Sequence, residues 1–599
     1  MTTFFAVVAA WLIGISYSFK LDLNLVECGV LTLLCFGKRL LLGRWFSAVE
    51  RFGMRLAHRR KLAIGLAFVA PIIIRVALLP RVPVPAPWIP DEFSHLLIAD
   101  TLVHGRLANP MHPLWMHFET IHVLTRPVYA SVYFPGLGIV MALGQLLGHP
   151  WIGVLLSSGA MCAALLWMLY GFFPARWALL GAILAVVRWG ALSYWVNSYW
   201  GGTVAAFAGA LVLGASARLR RRSTVPLSLI LGTGLIGLAY TRPVEGLALA
   251  IPAVGALALH QARIKSRTQL LRTALPAAAV CALGLLALGV YFHAITRNPF
   301  TTPYRLNQAM YGWPLTLPWE HPKPPPEFHN FNMQLYYEYE RCAQSQKTGL
   351  AGIELATVHL GAIWRFFLGP ALTLPLFWFG RSWRSNTIRM PLLCLMVSLV
   401  VGAVIVAYPH YIAPATGCFL ALSVQSIRAL RLWRRKTNTT GVALSRAVVA
   451  TCLIMLPVRA FVDSTTFPSD APMMHVFSAL GPEEGIFRAN VLKKLTSMDG
   501  RHVVFVQYDR QAYIDNEWVA NGADIDKEKV IWVNDMGPKR NQEVLNYYPD
   551  RRFWLVRADD APQEILPYKP ELSRVTARPV PVAACPGKWP EVHSKRRRQ

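Results

Sequence analysis

The feature that most limits what this chain can fold into is a series of long apolar runs, each closed by a short cluster of lysine and arginine. A helix rises about 1.5 Å per residue, so runs of about 20 apolar residues span the ~30 Å hydrocarbon core of a bilayer. Basic clusters between such runs mark segments held on the cytoplasmic side. Composition agrees: 54% of the 599 residues are hydrophobic and 15% are charged, against about a quarter charged in soluble proteins. The net charge of +28 comes without a basic stripe interleaved with aromatics and without a nucleic-acid motif. That points away from nucleic acid and toward anionic lipid as the partner of the charge.

Sidedness follows from the clusters. Residues 3–18 are apolar but lack the basic start and cleavage site of a signal peptide, so a membrane helix is expected there. Residues 22–41 return the chain, although Glu27 sits inside that run. Arg44, Arg51, Arg55, Arg59, Arg60 and Lys61 mark a cytoplasmic segment, so the run Leu62–Leu79 leads outward and delivers Pro90-Asp91-Glu92 to the extracytoplasmic face. Runs near 131–148, 151–170 and 176–195 precede the run 201–217 and the inner cluster at 218–222. Parity allows only an even number of the first three to cross, so one is short or re-entrant. Runs 226–240 and 244–260 turn on the outer side at Thr241-Arg242-Pro243-Val244-Glu245. Run 274–293 leads to a second outer loop, 294–350, with the stiff Pro322-Lys323-Pro324-Pro325-Pro326. Four more runs, ending at 444–461, bring the total to about thirteen crossings.

From about Asp463 the pattern is that of a soluble unit. Strands are expected at His502–Tyr508, Val530–Asn534 and Phe553–Val556, with a helix at Gln542–Tyr547, as in a small α/β unit with a mostly parallel sheet. The expected fold is thus an all-α polytopic membrane domain of about 11–13 transmembrane helices with a small C-terminal α/β domain. Its parts are an N-terminal hairpin and basic segment (1–61), a membrane domain (62–462) and an extracytoplasmic domain (463–599). An inner (plasma) membrane protein of a bacterium, with its site facing outward, fits this layout.

Candidate chemistry is concentrated at the outer turns. Asp91 and Glu92 open a helix at the mouth of a membrane segment, where the helix dipole favours their ionised forms; the structural alternative is a capping pair. His95 shares a helix face with Asp91 at i, i+4 and could hold a divalent metal with it. Arg188, Arg242, Glu245 and Arg365 are costly charges in or beside apolar runs. Arg242 and Glu245 could pair with each other or cradle a phosphate, which a guanidinium binds through two parallel hydrogen bonds. His112, His117 and His122 have no ligand spacing and are assigned no role. Gly232-Thr233-Gly234-Leu235-Ile236-Gly237 matches a dinucleotide fingerprint, but inside an apolar run it reads as helix packing. Asn197-Ser198-Tyr199-Trp200-Gly201-Gly202 forms an aromatic outer turn, fit for an interfacial belt or for sugar stacking. Nine cysteines show no C-x-x-C spacing; a disulfide between Cys342 and Cys585 is open.

Taken together, these residues resemble the integral-membrane (GT-C type) glycosyltransferases, in particular the protein O-mannosyltransferase and lipid A aminoarabinose transferase group. Asp91-Glu92 follows a membrane helix and leads to Ala99…Gly105-Arg106-Leu107. Tyr133-Phe134-Pro135-Gly136 is similar to that family's Tyr-Pro-Pro turn, and Pro409-His410-Tyr411-Ile412-Ala413-Pro414 to its late Arg-Tyr-x-x-Pro segment. The resemblance covers roughly residues 60–430. It implies transfer of a sugar from a polyprenyl-phosphate donor to an acceptor hydroxyl, with inversion, Asp91 as general base and Glu92 beside it. It also implies that Arg106, Arg242, Glu245, Asn197, His410 and Tyr411 hold substrate or phosphate. No cofactor is required, and a divalent metal at His95 is left open, because Asn197 stands where the family commonly has an acidic residue. The acceptor could be a glycan, a lipid or a protein. The alternatives are a non-enzymatic transporter or flippase for lipid-linked glycans, and a membrane scaffold.

Overall fold

The computed structural model describes residues 23–264, 266–312, 328–345, 349–381, 385–405, 408–433, 439–461, 483–508, 516–560 and 564–573. The expected helix at 3–18, the proline run at 322–326, the junction at 463, Cys585 and the side chain of Cys342 lie outside them.

Helices α1 (Leu23–Phe36), α2 (Arg44–His58) and α3 (Arg60–Ala77) open the described chain. A first loop then carries α4 (Pro90–Val103), which starts at Pro90 because proline's fixed φ and missing N–H suit the first helical position. A two-stranded hairpin follows, β1 (Val123–Leu124) and β2 (Ala130–Ser131), then α5 (Gly136–Leu146) and α6 (Pro150–Leu169).

Of the three apolar runs, the one carried by α5 starts and ends at the same end of the molecule. Eleven residues make α5 about 16 Å long, short of a bilayer. It begins beside Tyr240 and Thr241 and ends where Gln145 donates to Asp100 of α4 (2.8 Å), so both its ends lie at the Asp91 end of the molecule. It folds back onto α6 so closely that a Cβ on Gly144 would strike the backbone of Gly153, and one on Gly153 the backbone of Val140. Helix α6 then runs to the opposite end, where Tyr170 donates to the Ala57 carbonyl (2.8 Å).

The bundle continues with α7 (Ala175–Ala185), which runs on through a wide turn at Val186–Gly190, then α8 (Thr203–Leu219), α9 (Val225–Thr241), α10 (Pro243–Ile264) and α11 (Arg267–Thr296). The long loop after α11 supplies α12 (Pro303–Tyr311) and α13 (Phe331–Ser345). The bundle closes with α14 (Gly349–Phe367), α15 (Gly369–Thr373), α16 (Asn386–Ile405), α17 (Thr416–Arg431) and α18 (Thr440–Phe461). By length and composition α6, α10, α11, α16 and α18 each suffice to cross a membrane. The segments on either side of Leu368 pass the same test together but meet at 90°, as in a broken span or a re-entrant loop, and α1, α5, α8 and α9 are apolar but shorter. The glycines at 232, 234 and 237 pack α9 against α11 and α8, as expected for small residues in an apolar run.

The buried charges have structural work. Gly369, at φ +58°, breaks the bent span. There Glu27 accepts from the Ala371 N–H (3.0 Å), while Arg188 donates to the Phe366 and Arg365 carbonyls (3.0 and 2.9 Å). Backbone groups freed by a break in lipid must be satisfied by side chains, and these charges do so. Glu27 also faces Arg188 (3.5 Å) and Arg459 (3.1 Å), which accounts for a carboxylate inside an apolar run. Arg75, within the run Leu62–Leu79, is fully buried and donates to the Val82 and Pro83 carbonyls and to Asn197 Oδ1 (all 2.8 Å). At the opposite end of the molecule, Glu50 bridges Arg431 (2.9 Å) and Arg446 (2.8 Å).

The C-terminal unit has α19 (Glu483–Ser497), β3 (His502–Gln507), β4 (Val530–Asn534), α20 (Pro538–Tyr547), β5 (Arg552–Arg557) and β6 (Ile565–Pro567). Its sheet order is β4-β3-β5-β6, parallel except for β6. It docks on the first loop, because Leu97, Phe118, Val123 and Tyr129 share one core with Val503, Phe505, Ile525 and Val533. Arg106 reaches Asp524 across this junction (2.6 Å). Helix α18 also ends here, with Ala460 packed on Val82 and Leu192. The α/β unit and Asp91 therefore lie at the same end.

Candidate active site

Helix α4 and the hairpin are pinned together by Ser94, whose hydroxyl donates to the His122 carbonyl (2.6 Å) and meets Ser131 (2.7 Å). This sets His122, just before β1, and Tyr133, just after β2, against the first turn of α4. His122 takes a left-handed backbone at φ +64°, a conformation few non-glycine residues adopt and one enriched at functional sites. Tyr133 donates to Asp91 Oδ1 (2.5 Å), its oxygen meets His122 Nδ1 (2.8 Å), and His122 Nδ1 lies 3.5 Å from Asp91 Oδ2. Tyr336, from α13 of the long loop after α11, closes the chain at His122 Nε2 (2.9 Å). That loop is anchored by buried Glu119, which accepts from Tyr311 (2.5 Å) and faces His329 (3.0 Å).

The second wall comes from the later turns. The Arg242 guanidinium, at the C-terminal end of α9, stacks over Tyr411 at 4.1 Å. His410 is buried, with Nδ1 2.8 Å from the Tyr194 hydroxyl, and packs against Trp200 and Tyr411. The charges of Asp91 and Arg242 both act on His95, His410 and Tyr411, so the two walls face one site.

Electrostatics divide the two adjacent carboxyls. Burial pushes Asp91 up, but the His122 imidazole and the Tyr133 hydroxyl beside it outweigh this and hold the carboxyl well below the usual range. Asp91 stays ionised, with its side chain 23% exposed. Glu92 is buried and pushed up to about 7, chiefly by burial, with Asp91 adding to the effect and the N–H groups of Tyr199, Trp88 and Ile89 opposing it. Its two oxygens accept from the Tyr199 and Trp88 N–H groups (3.0 Å each), tying the turn before α8 to the loop before α4.

Proton uptake by Glu92 favours the folded state, because its folded value lies above the ordinary ~4.3. That contribution is complete below the ordinary value and is lost as pH rises through about 7. Thermal melts of the purified protein are therefore expected to show stability falling from about pH 4 to 7 and levelling off above that. Glu92→Gln should lack this slope and melt lower throughout, since an amide nitrogen cannot accept from either N–H. Equal slopes in the two proteins would remove Glu92 as the cause.

The other candidates are placed plainly. His95 is buried, stacks on Tyr133 with centroids 4.5 Å apart, and its Nδ1 has no hydrogen-bond partner among the described residues; burial above all pushes it down to about 3, so it is neutral at pH 7. Among the described residues no three His, Cys, Asp or Glu groups converge to hold a metal, so the donor set does not fit one, and no step is routed through a metal. Asn197 is engaged by Arg75, and Arg106 by Asp524, away from Asp91. Arg242 stacks on Tyr411, and the Glu245 carboxylate acts on it electrostatically without forming a close ion pair among the described residues. Sequence reading left His122 unassigned and passed over Tyr336. Nothing local marks either, because their roles arise from loops joined only in the fold. Tyr133 did lie in a quoted motif.

No protein-family model matches the sequence, and no curated protein matches it. Among solved structures the chain is similar to ArnT from Cupriavidus metallidurans bound to undecaprenyl phosphate, at 12% identity and TM-score 0.48, covering 82% of this chain and 92% of that one. It is also similar to the Archaeoglobus fulgidus oligosaccharyltransferase tethered with an acceptor peptide, at 13% identity and TM-score 0.40, covering 82% and 68%.

Proposed function

We propose that this chain is a membrane glycosyltransferase that moves a sugar from a polyprenyl-phosphate donor to an acceptor hydroxyl on the extracytoplasmic face. The observation that carries this reading is a single ionised, partly exposed carboxylate, Asp91, held by Tyr133 and His122 opposite Arg242 at one end of a membrane bundle. A lipid-phosphate sugar brings its own leaving group, which suits a chain without a nucleotide-binding motif.

In this mechanism Asp91 takes the proton of the acceptor hydroxyl as its oxygen bonds to the anomeric carbon. The bond from that carbon to the phosphate oxygen breaks, its electron pair leaves with polyprenyl phosphate, and a single displacement inverts the centre. Arg242 offsets the charge on the departing phosphate. Tyr133 and His122 hold the Asp91 carboxylate in place and ionised, and His410 and Tyr411 shape the Arg242 wall. Glu92, Arg106 and Asn197 brace the loops that carry these groups.

Purified protein given polyprenyl-phosphate sugars should release polyprenyl phosphate when an acceptor is present. A transporter or scaffold would release none with any donor. Arg242→Lys keeps the charge but loses the planar fork that both stacks and binds phosphate in two places, so donor affinity should fall by about tenfold, and further in Arg242→Ala. Donor titration of folded variants checks this. Unchanged affinity in Arg242→Ala would take Arg242 out of the phosphate site.

A further inference from the structure

We propose that α2 is a binding element for anionic phospholipid headgroups at the end of the bundle opposite Asp91. The proposal is independent of the proposed sugar transfer. Successive helical residues point about 100° apart, and on that geometry α2 presents three separate faces. Phe46, Gly53 and Ala57 face the protein: Ala57 is fully buried and Gly53 meets Leu179 of α7. Trp45, Val49 and Phe52 form a second stripe, exposed at 61%, 48% and 68%. Arg44, Arg51 and Arg55 form a third, also exposed.

A helix with an unpartnered apolar stripe beside a basic one is built to lie in the plane of a bilayer surface, its apolar side about 5–10 Å below the headgroups. Two further features identify bilayer lipid as the occupant. Helix α2 passes through Arg59 directly into α3, which carries the apolar run expected to enter the membrane, and that places α2 at the boundary. Basic residues also continue past its end, with Arg59, Arg60 and Lys61 all exposed. Glu50, on the protein side of α2, bridges Arg431 and Arg446 and so ties the helix to the ends of α17 and α18. Lipid bound to α2 therefore steadies three helices of the bundle.

The test compares the full-length protein in nanodiscs of phosphatidylcholine alone and of phosphatidylcholine with phosphatidylglycerol. Wild type should melt at a higher temperature in the anionic discs. The triple variant Arg44→Gln, Arg51→Gln, Arg55→Gln should lose most of that increment, because three charges near an anionic surface amount to about a hundredfold in affinity. Should the triple variant fold poorly, salt on wild type serves equally: screening shortens to ~3 Å at 1 M and should erase the increment. A nitroxide at position 52 should report burial below the headgroups. An increment that survives both the triple variant and 1 M salt, or a label at position 52 that reads as fully aqueous, would overturn the proposal.

Discussion

Asp91→Asn is expected to lower turnover by about 10²–10⁴-fold, the usual worth of a general base, with donor binding and folding close to wild type. Asparagine is nearly isosteric and can still accept the Tyr133 hydrogen bond through its one oxygen. What it loses is the charge and proton affinity that a base needs. The alternative reading, a simple helix cap, predicts the opposite, since asparagine is among the best capping residues. The structure already weakens that alternative: the contacts of Asp91 are Tyr133 and His122, and neither is a backbone N–H of α4. Turnover and donor titration on the same preparations separate the two, and a variant with near-normal turnover would leave Asp91 as scaffold.

The second large effect is expected far from the site. Glu27→Gln keeps the shape of the side chain but leaves Arg188 and Arg459 facing a neutral amide in an apolar interior. Removing one member of a buried ion cluster costs about 3–5 kcal/mol, a large share of the stability of any fold. The loss should show as a markedly lower melting temperature in detergent and poor recovery from membranes. The double variant Glu27→Gln, Arg459→Met removes one of the stranded charges and should recover part of it. A single variant that melts like wild type would mean that the bent span is held by other contacts.

The large architecture was legible because it follows from hydrophobicity and charge. Apolar runs and basic clusters located the membrane helices, and alternating strands located β3, β4, β5 and α20 of the C-terminal unit to within a few residues. What periodicity could not resolve was α5, an apolar run like its neighbours whose shortness is set by its packing on α4 and α6. Nor could it show that Leu62–Leu79 tolerates Arg75, because the partners that satisfy that charge, Val82, Pro83 and Asn197, come from two later turns. The site divided in the same way. Asp91 and Arg242 stood out because charge beside lipid is expensive. His122 and Tyr336 did not, since a histidine in a loop acquires meaning only when a hairpin and a second loop, over 200 residues on, close around it. Asp91 and Glu92 are neighbours in sequence with opposite environments, and only backbone geometry shows that one faces Tyr133 while the other is filled by N–H groups.

The most direct test of the central claim is the anomeric configuration of the product. Full-length protein would be supplied with a polyprenyl-phosphate sugar of known configuration and an accepting hydroxyl, and the new linkage read by proton NMR. A single displacement driven by Asp91 predicts the opposite anomer from the donor, formed one for one with released polyprenyl phosphate and lost in Asp91→Asn. A product that retains the donor's configuration, or transfer that persists in Asp91→Asn, would contradict it.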